Sequence, residues 1–410
     1  MPRPLPVEEA LRRVLQATPL LPFEVVPYRA AAGRVLQEEV RAPHDYPPFE
    51  KAMMDGYAVR AEDLDAPPRR LRVIQEIPAG SDPRRLEPVG PGTASRIMTG
   101  APMPPGADSV LMVEQTEAPV GEAGAVIARG RLAKGDNVAH RGEDVRAGEA
   151  LLAPGELIGP AEIAVLASCG ATRIRVGGRP RLTLLATGDE LVDPGEAPAP
   201  GRIRNSNGPM LEALAARIGC DTADLGIAPD DEAGLREAIG RALTSDVLVL
   251  SGGVSVGTYD LVRAVLRSLG AEILFEKVAI KPGRPFTFGR RGSTLIFGCP
   301  GNPVSAYVIF NLFARPALRR MMGFLEPEAT LRRGVLTTPV SRRPGRTVYC
   351  QARAWWTGSG YAVRVLPTSG SADFVSCARG NAMAIVPPGS ARLTAGEAID
   401  FLLLEDFQDR

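Results

Sequence analysis

The spacing of apolar residues changes along the chain and predicts several domains. Between Val7 and Leu15, apolar side chains recur at i, i+3, i+4, i+7 and i+8, which is the pattern of one helix face. Residues 41–137 instead show short β-like runs between Pro-Gly clusters, and residues 138–176 return to helix-like spacing. We predict an inserted β-rich domain at 41–137 and a mixed helical and β linking domain made of residues 1–40 and 138–176. In the linking domain, we expect the first helix to pack against the later segment.

The second half of the chain has two further patterns. Between residues 177 and 326, strand-like runs alternate with helix-like runs, as in 182–186 followed by 210–218. Such alternation is typical of a parallel, doubly wound α/β domain. After residue 326 the helix signal fades into short β-like runs. We therefore expect a multidomain α/β plus β protein, with a central α/β domain at 177–326 and a small β-barrel-like domain at 327–410.

Composition and charge limit the function classes. The 410 residues include 44 glycines and 38 prolines, but 45% of the chain is hydrophobic, so the excess indicates tight turns and not disorder. The formal net charge of +1 gives no general attraction to nucleic acid or to an anionic membrane. There is no signal-peptide pattern, and no apolar run approaches the roughly 18 residues that span a bilayer. We expect a cytoplasmic protein that binds anions locally.

Few kinds of residue are available for catalysis. The five cysteines lie far apart without a Cys-x-x-Cys motif, and the two histidines are His44 and His140. This pattern argues against a zinc site, a disulfide framework and a histidine-activated nucleophile. Carboxylates, lysines and backbone amides are therefore the candidate groups.

Two loops of the α/β region are candidates for binding anions. The strand-like run that ends at Leu250 leads into Ser-Gly-Gly-Val-Ser-Val-Gly (251–257), and a helix pattern begins near Asp260. The amides of such a loop can converge on phosphate, whereas the alternative is a plain glycine turn with Asp260 as the helix N-cap. Cys-Pro-Gly-Asn-Pro-Val-Ser-Ala (299–306) likewise leads from an apolar strand into a helix, with Pro303 suited to its first turn.

Carboxylates cluster at the same predicted edge of the sheet. One strand runs into Thr-Gly-Asp-Glu (187–190), and the next is followed by Asp230 and Asp231. Together with Asp260, these carboxylates suit an oxygen-ligated Mg²⁺ ion better than zinc. Each of them taken alone is more simply explained as a helix cap or a loop charge.

Cations follow a further strand of this region. Lys277, Lys281 and Arg284 flank a strand end close to the predicted acids. They indicate either salt bridges or an anionic substrate whose charge they balance. A solvated surface charge explains each lysine when it is taken alone.

Motifs spread along the whole chain resemble those of one enzyme family. They are Met-Asp-Gly-Tyr-Ala (54–58), Arg-Ile-Met-Thr-Gly-Ala-Pro-Met-Pro (96–104), Thr-Gly-Asp-Glu-Leu (187–191), Ser-Gly-Gly-Val-Ser-Val-Gly (251–257), Ala-Ile-Lys-Pro-Gly (279–283) and Pro-Gly-Asn-Pro-Val-Ser-Ala (300–306). In this order they are similar to the signatures of the molybdopterin molybdenumtransferases, the family to which the gephyrin E domain belongs. The resemblance covers essentially the entire chain.

The resemblance implies a reaction and an assembly. Such enzymes insert molybdate into the dithiolene of adenylated molybdopterin while the phosphoanhydride is cleaved, giving molybdenum cofactor and AMP with the help of Mg²⁺. The sulfur atoms of the substrate bind the molybdenum, which agrees with the lack of a Cys cluster. The resemblance also implies an elongated four-domain protomer that forms a homodimer, with the α/β domain of one subunit facing the inserted β domain of the other.

The same resemblance implies roles for individual residues. Asp55 and Thr99, from the inserted domain, would face the partner's site, and Glu190, Asp230 and Asp260 would be metal ligands. Lys277 and Lys281 would bind molybdate or phosphate oxygens, and these seven residues form the expected catalytic set. The residues expected to bind substrate are Asp144, Asp189, Ser251, Gly252, Gly253, Ser255, Pro300, Gly301, Asn302, Ser305, Arg353 and Ser371.

Three of these assignments stay open. Asp144 matches an acid of the family but equally suits a structural role at a domain junction. The usual position of the family's arginine holds Gln351, and Arg353, two residues on and so on the same strand face, is the candidate substitute. Either Asp230 or Asp231 can correspond to the aspartate of the family.

Two other functions are consistent with these patterns. A related adenylyltransferase uses a similar α/β domain to adenylate molybdopterin, but it normally lacks the surrounding domains and it consumes ATP. A scaffold that uses its dimer to bind a partner protein would not need the charged loop residues. Proteins of the cofactor pathway, or those that accept the cofactor, are further candidate partners, and the choice between molybdate and tungstate stays open.

Overall fold

The computed structural model describes residues 3–119, 122–252, 258–341, 343, 345–390 and 392–404, with the backbone alone for residues 258–260. These residues form two compact units. The first consists of residues 1–38, 154–163 and 173–410, and the second of residues 39–153 and 164–172. None of the helices in the described part of the chain is both long enough and apolar enough to span a membrane.

A six-stranded sheet forms the centre of the first unit. Its middle strands are continuous apolar runs, because both faces of the sheet are covered. The strand order is Asp221–Ala228, Arg181–Thr187, Val247–Gly252, Thr294–Cys299, Pro285–Arg291 and Glu272–Lys277. The first four strands are parallel, and Pro285–Arg291 is antiparallel to both of its neighbours. The carboxyl ends of four adjacent strands therefore lie at one edge.

Helices pack on both faces of this sheet, as a doubly wound domain requires. One core contains apolar residues of Asn207–Ile218 and of a helical segment made of Pro303–Ile309, a π-helical turn at Phe310–Ala314 and Arg315–Met321. The other core contains residues of Glu232–Ala242 and Thr258–Ser268. The alternating pattern of the sequence thus predicted the arrangement of this region.

The first helix, Val7–Ala17, also belongs to the α/β core. Its buried side chains Val7, Ala10 and Val14 lie in the cluster that contains Phe313. The prediction that this helix packs against residues 138–176 is wrong. Two backbone hydrogen bonds position the helix, because the N–H of Leu5 donates to the carbonyl oxygen of Lys277 and the N–H of Ala279 donates to the carbonyl oxygen of Leu5. An amphipathic pattern does not specify the surface that a helix covers.

A strand after the first helix pairs with a later part of the chain. Phe23–Pro27 is antiparallel to Arg173–Gly177. Two other short pairs in the first unit are parallel Leu191–Val192 with Ile203–Arg204 and antiparallel Val340–Ser341 with Arg392–Leu393. Tyr28–Ala30 is a 3₁₀ turn.

The C-terminal part of the first unit contains a closed five-stranded barrel. Each strand pairs with the next, and the last pairs again with the first, in the order Thr347–Trp356, Tyr361–Val365, Leu331–Leu336, Ala398–Leu403 and Ala382–Val386. Alternate residues of the long strand, such as Val348 and Cys350, fill the barrel. Tyr349, which points to the opposite side, joins the α/β core. The short helix Phe374–Arg379 lies between two barrel strands in the sequence.

The second unit is built around another six-stranded sheet. Its order is Ser109–Met112, Gly56–Val59, Thr93–Ile97, Arg69–Ile77, Ala125–Ala128 and Thr116–Glu117. Two short antiparallel pairs, Lys51–Ala52 with Val138–Ala139 and Val40–Arg41 with Ala150–Leu152, accompany it. Its 3₁₀ turns are Ala61–Leu64, Pro83–Arg85 and Val113–Gln115, and the helix Pro160–Ser168 has residues in both units.

We predict that Phe286→Ala strongly destabilises the first unit. Phe286 is fully buried, and its ring centroid lies 4.9 Å from that of Phe313 and 5.5 Å from that of Phe275. A cavity at such a site should lower the free energy of unfolding by about 3–5 kcal/mol in urea titrations followed by circular dichroism. Phe23→Ala is the control, because Phe23 is 55% exposed, and it should change the stability by less than about 1 kcal/mol. Equal losses for the two variants would contradict the prediction.

Candidate active site

Three strand ends meet at the carboxyl edge of the α/β sheet. Gly252 has a φ angle of +96°, and a Cβ atom at this position would lie 2.1 Å from the carbonyl oxygen of Thr187. A Cβ atom at Gly301 would lie 3.6 Å from the Cα atom of Gly252. Glycine at 252 is required for this close approach. The loops after these three strands therefore begin next to one another.

A residue that the sequence analysis missed connects two of these loops. The Nδ2 atom of Asn207 donates hydrogen bonds to Ser251 Oγ at 2.8 Å and to the carbonyl oxygen of Gly301 at 2.7 Å. Asn207 is buried, and its Oδ1 atom has no hydrogen-bond partner. The sequence did contain a signal for it, the run Asn-Ser-Asn (205–207) directly before an apolar helix. A helix needs one N-cap residue, so a run of three cap-forming residues indicates that one of them has another role.

Carboxylates lie at the ends of the two neighbouring strands. The backbone N–H of Asp189 donates to Asp230 Oδ2 at 3.4 Å, and the Oδ1 atom of Asp230 is buried without a partner. Burial, together with the negative charges of Asp189 and Glu190, raises the pKa of Asp230 above its ordinary value. Asp231 instead caps the next helix, where its Oδ1 accepts a hydrogen bond from the N–H of Gly234 at 2.9 Å. Asp230 is thus the acid of this loop that lies against Asp189.

Part of the predicted site is outside the described residues. Gly253 and Ser255 of the glycine loop belong to this part, as does the side chain of Asp260. Among the described residues, no group of three His, Cys, Asp or Glu side chains is arranged to hold a metal ion. The described carboxylates of this edge therefore need ligands from elsewhere to complete a metal site.

A cleft of about 1340 Å³ lies between the strand-end loops and the C-terminal barrel. The backbone N–H of Val304 donates to the carbonyl oxygen of Ser371 at 3.1 Å, which joins the two walls. Several residues that were singled out from the sequence line this cleft, namely Lys281, Arg284, Pro300, Asn302, Ser305, Gln351 and Ser371. Residues far apart in the sequence are thus brought to one cavity.

The lining of the cleft is strongly cationic. Its basic side chains are Lys281, Arg284, Arg343, Arg346, Arg364 and Arg379. Asp373 is the single carboxylate among the described lining residues, and it accepts hydrogen bonds from the backbone N–H groups of Ser369 and Ser376. This excess of positive charge suits a ligand with more than one negative charge. Lys281 and Arg284 were singled out from the sequence as cations that could balance an anionic substrate, whereas the other four arginines were not.

The two predicted lysines have different surroundings. Lys281 lies on the short strand Ile280–Lys281, which pairs in parallel with the barrel strand Thr347–Trp356 and brings the lysine to the cleft. Lys277 is at the end of a strand of the α/β sheet, where its carbonyl oxygen accepts a hydrogen bond from the N–H of Leu5 at 3.0 Å. It is not among the described residues that line the cleft.

Gln351 lines the cleft, and Arg353 does not. Both residues lie on the outer face of the barrel strand, because Ala352 between them points into the barrel core. Gln351 is 5% exposed, whereas Arg353 is exposed and lies opposite Arg364 on the neighbouring strand. The strand face of Arg353 was therefore predicted correctly, but Arg364 is the arginine of this pair that reaches the cleft.

In the second unit, Asp55 and Thr99 are in direct contact. The backbone N–H and the hydroxyl of Thr99 both donate to Asp55 Oδ1, each at 2.7 Å. These hydrogen bonds hold the pKa of the Asp55 carboxyl below its ordinary value, so the residue is a carboxylate at neutral pH. Asp144 is exposed, and its backbone N–H donates to the carbonyl oxygen of Tyr46 at 3.1 Å.

One loop connects the two charged regions of the first unit. Gly301 lies beside Gly252 at the sheet edge, and its neighbours Pro300 and Asn302 line the cationic cleft. One short loop thus joins the strand ends of the sheet edge to the cationic cleft. This combination suits transfer chemistry on an anionic substrate.

Comparison with known proteins identifies the family of the chain. Residues 5–170 match the MoeA N-terminal region (domain I and II), residues 183–320 a probable molybdopterin binding domain, and residues 333–404 the MoeA C-terminal region (domain IV). The molybdopterin molybdenumtransferase of Staphylococcus aureus (strain Mu50) is 34% identical over 407 residues, which cover 98% of this chain and 96% of that protein. The chain belongs to the molybdopterin molybdenumtransferase family.

Other members of the family support the same conclusion. The enzyme of Staphylococcus epidermidis is 33% identical over the same share of each chain. The crystal structure of the molybdopterin biosynthesis moeA protein from Pyrococcus horikoshii OT3 superposes with a TM-score of 0.82 at 31% identity, covering 98% of this chain and all of that one. The predicted family, the multidomain fold and an enzymatic role in molybdenum cofactor biosynthesis are confirmed.

The acidic edge generates a prediction about pH. Because the pKa of Asp230 is raised in the folded protein, its contribution to stability is present below the unfolded-state pKa and is lost as the pH rises through the folded-state pKa. Asp230→Asn should therefore be more stable than the parent at neutral pH, and the difference should shrink as the pH falls toward about 4. Urea unfolding at several pH values measures this.

Asp231→Asn is the matched control. It is the same substitution at the next residue, and asparagine caps a helix about as well as aspartate does. We expect its stability to stay close to that of the parent at each pH. A loss of stability at neutral pH for Asp230→Asn would show that the carboxylate supports the fold.

Proposed function

We propose that the chain inserts molybdate into the dithiolene of adenylated molybdopterin, with cleavage of the phosphoanhydride and release of AMP and molybdenum cofactor. The observation that carries this proposal is the loop at residues 300–302, which adjoins both the acidic sheet edge and the cationic cleft. The reaction needs a cation for the phosphoanhydride and a place for an oxyanion. The names of the relatives fit the same reaction.

The acidic edge is suited to Mg²⁺. This ion is commonly held by one or two carboxylates together with substrate phosphates, so Asp230 with Glu190 can be sufficient. The unpartnered Oδ1 atom of Asp230 and its raised pKa fit a carboxylate that lacks a cation. Asp260 is proposed as a further ligand, and Asp189 as a contact of the substrate. When bound, Mg²⁺ would neutralise charge that develops on the phosphate oxygens.

The cationic cleft is the proposed molybdate site. Molybdate is a dianion, and Lys281 with the surrounding arginines can balance its charge. Ser305 and Ser371 supply hydroxyl donors on opposite walls of the cleft. We assign Lys277 to substrate phosphate oxygens, because it is at a strand end outside the cleft lining.

We further propose that the enzyme acts as a homodimer in the cytoplasm. The ionised Asp55, held by Thr99 in the second unit, would face the adenylated molybdopterin bound to the α/β domain of the other subunit. In this arrangement neither subunit alone contains a complete site. Cofactor-pathway and acceptor proteins are the expected further partners, while nucleic acid and membranes are not.

The direct test is a reconstituted reaction. Purified protein incubated with adenylated molybdopterin, Mg²⁺ and molybdate should release AMP and form active cofactor, without consuming ATP. ATP consumption with molybdopterin as substrate would instead identify an adenylyltransferase. Activity that survives removal of Mg²⁺ by EDTA, with the removal verified, would contradict the metal assignment. Activity unaffected by changing the charged loop residues would favour the scaffold function.

We predict that Lys281→Met raises the molybdate concentration needed for half-maximal insertion. Methionine keeps much of the side-chain length but removes the charge, and a charge-assisted hydrogen bond is worth roughly 1.5–3 kcal/mol, or about ten- to one-hundred-fold. Lys134→Met, at an exposed lysine of the second unit, is the matched control and should leave the titration unchanged. An unchanged midpoint in a folded Lys281→Met protein would refute the oxyanion role.

A second prediction tests whether two subunits share each site. Asp55→Ala and Asp230→Ala homodimers should both be inactive, because every site has lost one of its acids. A heterodimer of the two variants should regain up to one intact site, which is measured as AMP release from heterodimers purified through two different tags. No recovery in verified heterodimers would place each site within a single chain.

A further inference from the structure

Asn207 is a buried asparagine at the first residue of a helix, but its side chain bonds to residues outside that helix. The capping role belongs to Asn205, whose Oδ1 atom accepts a hydrogen bond from the N–H of Gly208 at 3.1 Å. The Nδ2 atom of Asn207 instead donates to Ser251 Oγ and to the carbonyl oxygen of Gly301, at the ends of two sheet strands. The side chain therefore has a role beyond its own helix.

The chemistry of its partners fixes the orientation of the Asn207 amide. The carbonyl oxygen of Gly301 can only accept a hydrogen bond, so the Asn207 atom that lies 2.7 Å from it is the nitrogen. This nitrogen has two N–H bonds, and both are used, one for Gly301 and one for Ser251. The Oδ1 atom has no partner among the described residues, so the amide is placed for its two donors.

The bond to Ser251 determines where the serine hydroxyl can donate. Ser251 Oγ accepts from Asn207, and a hydroxyl has a single proton, so this proton points away from the Asn207 amide. Ser251 is buried near the end of strand Val247–Gly252, directly before the loop that begins at the sheet edge. Its hydroxyl is thus held as a donor at the edge where the strand-end loops meet.

The bond to Gly301 determines the direction of a backbone N–H. The peptide bond between Gly301 and Asn302 is trans, so its C=O and N–H groups point in opposite directions. Because Asn207 holds the carbonyl oxygen, the N–H of Asn302 is turned away from Asn207. Within the described part of the chain this N–H has no hydrogen-bond partner, and Asn302 lines the cleft. A second donor is therefore left for a ligand.

We propose that Asn207 is a positioning residue of the active site, which orients the Ser251 hydroxyl and the Asn302 N–H as donors to oxygen atoms of the bound substrate. One side chain thereby sets two donors that lie on loops far apart in the sequence. Asn207 itself acts through them and does not contact the substrate. This inference rests on the proposed function, because that function assigns Ser251 and Asn302 to substrate binding.

The test is steady-state kinetics of AMP release by the full chain, with adenylated molybdopterin as the varied substrate. Asn207→Ala and Ser251→Ala should each raise the KM for this substrate about ten-fold, because each removes an oriented donor to an anionic oxygen. The double variant should stay close to Asn207→Ala, since the serine hydroxyl has already lost its orientation. Single losses that multiply to about one-hundred-fold in the double variant would overturn the inference.

Asn207→Asp separates the donors of the side chain from its shape. Aspartate is nearly the same size, but as a carboxylate it donates no hydrogen bond, and the Ser251 hydroxyl would turn its proton toward it. Asn207→Asp should therefore raise the KM at least as much as Asn207→Ala does. A KM equal to that of the parent would show that the two donated hydrogen bonds are not needed, which contradicts the inference.

Asn311→Ala is the matched control for the loss of a buried asparagine. Asn311 is 3% exposed, and its Nδ2 atom donates to the carbonyl oxygen of Tyr307 at 2.9 Å, within its own helical segment. The substitution should lower the melting temperature and leave the KM of the folded enzyme unchanged. If Asn207→Ala behaves in the same way, Asn207 is a structural residue and the inference is wrong.

Crystal structures of the parent and of Asn207→Ala separate this inference from the proposed function. We expect the carbonyl oxygen of Gly301 to leave its position in the variant. A carbonyl group that keeps its position would overturn the inference even where AMP is released normally by the parent. If the parent releases no AMP, the proposed function is wrong, and the structures alone decide whether Asn207 holds the two loops.

Discussion

The two-sided packing of one barrel strand supports the rest of the first unit. Alternate residues of Thr347–Trp356 fill the barrel, while Tyr349 on its other face enters the α/β core. The same strand pairs with Ile280–Lys281, so that a lysine of the α/β region and Gln351 of the barrel lie on adjacent strands. A cleft with fixed walls results from this packing, because neither wall can shift without disturbing a hydrophobic core.

Sequence patterns predicted the parts of the fold that depend on local order. Apolar strands followed by helices identified the α/β domain, and the loops after those strands identified the acidic edge. Patterns could not show that Asp231 caps a helix while Asp230 lies against Asp189, because both residues have the same chemistry. The prediction of the surface that the first helix contacts was wrong for a related reason. Periodicity specifies which face of a helix is buried, but it does not specify which part of the chain covers that face.

The cationic cleft shows a second limit of sequence reasoning. Arg343, Arg346, Arg364 and Arg379 are scattered over the loops, strands and short helix of the C-terminal part, and only its tertiary structure brings them to one cavity. Unpaired buried atoms show the same dependence on tertiary structure. Those of Asn207, Asp230 and Gln351 lie at the sheet edge or in the cleft lining, where residues from separate parts of the chain meet.

The position of the first helix has a consequence for the newly made protein. Val7, Ala10 and Val14 are covered by side chains such as Phe313 and Leu318, about three hundred residues later in the chain. A ribosome adding about 5–20 residues per second leaves this apolar face without its native partners for roughly 15 seconds or more. During that interval the apolar side chains Val7, Ala10 and Val14 lack the core that covers them in the folded protein. Helix Val7–Ala17 can therefore reach its native place only after about three hundred further residues have been made.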